Sequence, residues 1–96
     1  MIKHIVMWRL KNKTDAVRIK QELEGMRGKI AGLLALEVGL NFADGSPVDV
    51  ALYSEFKDRA ALEDYANHPV HVPVKQFLSA LVAERWVADY DADHHR

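Results

Sequence analysis

The stretch IKHIVMWRL, residues Ile2–Leu10, decides how the rest of the chain is read. Ile2, His4, Val6, Trp8 and Leu10 point one way, and Lys3, Ile5, Met7 and Arg9 the other. Such period-two alternation marks a strand, because successive side chains leave opposite faces of an extended backbone. A strand half exposed to water shows one apolar and one polar face. Here both faces carry apolar groups, which predicts a central strand covered on both sides.

Outward from that strand, NKTD turns the chain, and Thr14 offers a hydroxyl to cap a helix N-terminus. From Asp15 the apolar positions Ala16, Ile19, Leu23, Met26 and Ile30 recur every three or four residues and predict one helical stripe. Gly25 and Gly28 weaken its end and Gly32 lies beyond it as a stop. Leu34, Leu36, Val38, Leu40 and Phe42 share one face of a second strand, Ala43–Pro47 forms a turn, and Val48–Phe56 alternates as a third strand. Asp58 caps a second helix through Asn67, with Leu62 and Tyr65 on its inner face. After Pro69, the residues Val70, Val74, Phe77, Leu78, Leu81 and Val82 predict a third helix, and Arg85–Tyr90 a fourth strand.

The order is β-α-β-β-α-(α)-β, the split pattern of ferredoxin-like α+β folds. Residues 1–90 make one domain and residues 91–96 a polar, loose tail. This fold lays its helices on one face of an antiparallel sheet and leaves the other bare. Ile5, Met7, Ala51, Tyr53 and Val87 read as apolar groups on the bare face, a patch that pairing with a second copy would bury. Composition agrees: 49% hydrophobic residues is more than one core in 96 residues comfortably uses. A homodimer through the open sheet face is therefore expected.

A formal charge of -1 without a basic stripe argues against a nucleic-acid partner. No stretch approaches the roughly 20 apolar residues of a membrane span, and Lys3, His4 and Arg9 break the apolar start that a signal peptide needs. With no cysteine there is no disulfide framework or thiolate chemistry, and a soluble cytoplasmic protein is expected.

Five histidines are the chain's chemical resource, and NHPVHVPV (Asn67–Val74) holds two of them, between two helices. His68 is expected to hydrogen-bond a carbonyl ending the second helix, with Pro69 starting the third. His4, on an apolar strand face, reads either as a satisfied core residue or as one member of a pocket with His71. Tyr65 is a core aromatic whose hydroxyl needs a partner, or a pocket donor. Trp8, Phe77 and Leu81 are packing residues that also serve as ligand-contacting cavity walls. His68 with His71, and His94 with His95, offer nitrogen pairs, but Pro69 disturbs one pair and the other sits on the tail. No metal site is expected, since zinc wants three or four ligands from rigid elements. Without a Gly-x-Gly-x-x-Gly or phosphate loop, no nucleotide cofactor is expected either.

MIKHIVMWRLK, IAGLLALEVGLNF, YSEFKDRAALEDYANHPVHVPV and ERWVADY, in this order, resemble the stress-responsive A/B barrel (Dabb) family of dimeric α/β barrels. The resemblance runs from Met1 to about Tyr90, and HPVHVPV with the upstream SEF is its most specific part. It implies the dimeric ferredoxin-like barrel already read from the pattern. One plant member, the polyketide cyclase that makes olivetolic acid, implies His71 as a catalytic histidine, with Tyr65 and His4 as further pocket residues. That cyclase also has a pocket tyrosine on its first helix, where this chain has Glu22, Leu23 and Glu24. On this footing His71 is expected to abstract a proton next to a carbonyl of a small aromatic or polyketide-like ligand, with no cofactor. Two other classes fit the same resemblance: a non-enzymatic stress-response barrel with a filled core, and a cofactor-independent or haem-handling monooxygenase.

Overall fold

Strand β1 (Ile2–Leu10) is central, with a strand on each side, but within the chain only one of its faces is covered: Met7 on the other is 37% exposed. In the computed structural model, which describes residues 1–93, it pairs antiparallel with β3 (Val50–Phe56) and with β4 (Val82–Asp91). Strand β2 (Leu33–Leu40) adds to β3, so the sheet order is β2-β3-β1-β4 with every neighbour antiparallel. Helices α1 (Ala16–Glu24), α2 (Arg59–Ala66) and α3 (His71–Ser79) complete a ferredoxin-like α+β fold.

The even residues of β1 meet the helices. Val6, Trp8 and Leu10 are buried there with Ile19 and Leu23 of α1, Leu36 and Val38 of β2, and Leu52 and Phe56 of β3. Helix α2 starts where its sequence says it should: the Asp58 carboxylate accepts the Ala61 N–H at 2.8 Å. Gly32 seats it, with φ of 84° and a site where a Cβ would fall 2.6 Å from that of Ala61.

Several expectations are corrected. Thr14 caps nothing; it lies in a short 3₁₀ turn (Lys13–Asp15), and the Asn12 side chain accepts its N–H. Helix α1 closes at Gly25, while Met26 and Ile30 reach the core from the turns that follow. Leu34 turns outward, 57% exposed, because β2 holds one extra residue between Leu33 and Ala35 and the bulge resets its alternation. Phe42 is 97% exposed beyond the end of β2, where Asn41 bonds Val48 O and Ala43 N and bends the chain away. Strand β3 begins at Val50 rather than Val48. Helix α3 ends at Ser79; Leu81 lies in the following turn and Val82 opens β4 opposite Leu10. The last strand runs on to Asp91, and the Ala92 N–H donates to Met1 O at 2.9 Å. Residues 94–96, including His94 and His95, lie outside the described residues.

The face away from the helices carries Ile5 and Met7 of β1, Ala51 and Tyr53 of β3, and Trp86, Ala88 and Tyr90 of β4. Val87, expected there, pairs with Val6 on the helix side instead. Among the described residues no helix is long and apolar enough to cross a membrane.

Candidate functional site

The helices leave the helix-side face of β4 uncovered: Arg85 and Asp89 are exposed, and Val87 is 49% exposed. Between that strand, β1 and the α2–α3 pair lies a cavity of about 600 Å³. Val6, Trp8, Leu23, Leu52, Val74 and Leu78 give it apolar walls, and His4, Tyr65, His71, Arg85 and Asp89 bring polar groups to it. This balance of apolar lining and few polar groups is typical of small-molecule sites.

The α2–α3 connection fixes Tyr65 against His71. The His68 carbonyl accepts the N–H groups of His71 and Val72, both at 2.9 Å, and Pro73 falls in the first turn of α3, where no N–H partner is needed. The His68 ring does not reach a carbonyl; its Nδ1 accepts the Val70 N–H at 3.0 Å. It is His71 that ties back to the end of α2, its Nδ1 lying 2.9 Å from the Tyr65 carbonyl oxygen. A carbonyl only accepts, so Nδ1 carries the proton and Nε2 is the bare nitrogen. The tie lays the two rings flat on each other, with centroids 3.8 Å apart and planes 14° from parallel.

His4 closes the group from the strand side. Its ring meets the edge of Tyr65 at 5.9 Å and of Phe56 at 6.1 Å. Its Nδ1 pairs with the carboxylate of Asp89, its partner across the β1–β4 ladder. An accepting carboxylate fixes the Nδ1–H tautomer and again leaves Nε2 bare.

Burial pushes the Tyr65 phenol up to about 12, with the Arg85 charge opposing, so the hydroxyl stays protonated and able to donate. Burial lowers His71 to about 4 despite its bond to the Tyr65 carbonyl, so the ring is neutral at pH 7. Tyr65 is only 3% exposed, and among the described residues its hydroxyl has no hydrogen-bond partner. Yet no buried side-chain oxygen or nitrogen is left unsatisfied among them, so the hydroxyl meets the cavity space.

Of the residues singled out from sequence, His4, Tyr65, His71 and Trp8 line this one cavity. Phe77 and Leu81 do not. Phe77 lies under the Arg18 guanidinium, 4.7 Å from its ring centroid, and Leu81 packs partly buried against the core. The physical reason is that α3 turns its 74/78 stripe to the cavity and ends before Leu81. Sequence reasoning passed over Asp89 and Arg85. The register that sets His4 opposite Asp89 and Trp8 opposite Arg85 was the signal that would have found them.

The family model described as the Stress responsive A/B Barrel Domain matches residues 2–92. A dimeric protein of unknown function with a ferredoxin-like fold, from Bacteroides fragilis, is similar at 33% identity and a TM-score of 0.84, with 94% of each chain covered. A Dabb family protein from Mesorhizobium loti is similar at 26% identity and a TM-score of 0.75, again over 94% of each chain. Hydroxynitrile lyase from Passiflora edulis shares the fold at 14% identity, with a TM-score of 0.81 over 99% of this chain and 96% of that one. No curated protein matches the chain.

Proposed function

The chain belongs to the stress-responsive A/B barrel family, and we propose that it is a cytoplasmic homodimer whose cavities take up a small apolar molecule and move a proton next to its carbonyl group without a cofactor. The observation that carries this reading is the meeting, in one apolar cavity, of an imidazole backed by a carboxylate and a protonated phenol without a partner among the described residues. The first is a base and the second a hydrogen-bond donor for an oxygen on which charge develops.

From sequence the base was His71. Two features favour His4 in that role. Asp89 offsets the charge His4 takes on when Nε2 accepts a proton, whereas His71 has only a neutral carbonyl on Nδ1. And burial makes His71 a weak base. In the step we propose, His4 Nε2 removes a proton from the carbon beside the carbonyl and the electron pair moves onto oxygen as an enolate. Tyr65 donates to that oxygen while His71 holds the phenol ring. The enolate carbon then attacks a second carbonyl of the same molecule, whose oxygen takes the proton from His4 Nε2 as the new bond forms, or it takes that proton back itself; either way the site is restored.

Trp8 and the aliphatic walls suit an aromatic or polyketide-like ligand. The apolar sheet face with exposed Met7, Trp86 and Tyr90 supports pairing of two copies, as does the dimeric state of the Bacteroides fragilis protein. The test uses the methyl protons of acetophenone in heavy water, followed by NMR. Exchange is expected to run faster than in buffer, and His4→Gln should remove the acceleration. Exchange no faster than buffer, together with a protein that carries no small molecule in native mass spectrometry, would instead favour a non-enzymatic barrel.

A further inference from the structure

We infer that the cavity is built for an apolar acid, its carboxylate received by Arg85 at the end remote from His4. This rests on the small-molecule reading above and names the class of molecule. Three pairs along the β1–β4 ladder set the order: His4 with Asp89, Val6 with Val87, and Trp8 with Arg85. All six residues line the cavity. At a strand rise of about 3.3 Å, the outer pairs lie roughly 13 Å apart along the backbone, with an apolar pair between. Along the ladder the cavity wall therefore runs from an imidazole residue, through an apolar pair, to a guanidinium residue.

The guanidinium is unclaimed. Arg9 pairs with Glu84 and Arg27 with Glu24, and Arg18 lies over Phe77, but among the described residues Arg85 has no ion-pair partner. The wall's other charges do not neutralise it. Asp89 is held by His4, Lys75 donates to the Ala66 carbonyl at 2.8 Å, and Glu63, on α2, makes no ion pair with Arg85. Its charge is felt at the Tyr65 hydroxyl, so it acts on the cavity it lines. A planar guanidinium receives a carboxylate through two parallel N–H donors, and an apolar surround strengthens the pair. An acid held there places carbons further along its chain beside Tyr65 and His4. Apolar keto acids, with the carboxylate several carbons from the reacting carbonyl, meet both ends.

The test is calorimetric titration with two matched probes, 3-phenylpropionate and 3-phenylpropan-1-ol, against wild type, Arg85→Gln and Arg85→Lys. Wild type should bind the acid at least about tenfold more tightly than the alcohol, the size of one charge-assisted contact. Arg85→Gln should bring the ratio near one without changing affinity for the alcohol, and Arg85→Lys should retain part of the preference. Arg85 is exposed, so both variants should keep the wild-type melting temperature. Alcohol bound as tightly as acid by wild type, or an acid preference that survives Arg85→Gln, overturns the role of Arg85 and leaves the cavity reading standing. Wild type that binds neither probe overturns both.

Discussion

Acid should loosen this fold through His71, and a ring that cannot titrate there should remove the effect. The folded ring has its pKa lowered to about 4, against 6.5 for a free imidazole, with burial the leading cause. Below pH 6.5 the unfolded chain takes up a proton that the folded ring refuses. Stability from this group is thus complete above about pH 6.5, falls as the pH drops toward 4, and is level below that. At full effect the shift is worth about 3.4 kcal/mol. Water reaching the half-buried ring through the cavity screens part of it, leaving about 2 kcal/mol. The perturbation is His71→Asn, whose amide can still donate to the Tyr65 carbonyl but does not titrate. Urea unfolding of both proteins would be followed from neutral pH to about pH 4 at one fixed concentration, since a dimer's stability includes its association. The wild-type curve should fall away from the variant's by about 2 kcal/mol across that window. Parallel curves would refute the reasoning, because they would mean the ring is as easily protonated folded as unfolded.

Other consequences are quicker to check. Tyr65→Phe should change stability by less than about 0.5 kcal/mol, because the hydroxyl has no partner among the described residues, while acetophenone exchange is lost; a large drop in melting temperature would mean that the hydroxyl is bonded within the folded protein. Asp89→Asn should slow that exchange by about a hundredfold or more with the fold intact, and an unchanged rate would remove Asp89 from the site. Met7→Lys places a charge in the middle of the bare sheet face and should yield monomers in sedimentation equilibrium. Asp58→Ala should cost about 1 kcal/mol in urea unfolding by freeing the Ala61 N–H.

The parts of this fold legible in the sequence are those set by local periodicity. Ile2–Leu10 declared itself a strand because its alternation has period two, and Asp58 declared a helix start because its side chain could meet the free N–H groups that follow. Leu34 was misplaced because a bulge is a property of two strands together, invisible in one. Val87 was misplaced for another reason: β4 is exposed on both faces, so its alternation carries no contrast between core and water. The site followed the same division. Tyr65 and His71 lie on successive helices joined by a short turn, close enough along the chain to be suspected together. Asp89 is 85 residues from His4 and becomes its partner only through the strand register. The exchange of roles between His68 and His71 turns on which ring faces the last carbonyls of α2, a matter of three residues of turn geometry.

Strand β4 interleaves two vocabularies on one line of text. Arg85, Val87 and Asp89 speak to the cavity, and Trp86, Ala88 and Tyr90 to the opposite face. Because the period is two, a single residue inserted or deleted ahead of Arg85 would exchange the two sets wholesale. The guanidinium would turn to the sheet's outer face and Trp86 would fill the space beside Trp8. Point substitutions on β4 can therefore retune one message at a time, whereas a change of length erases both.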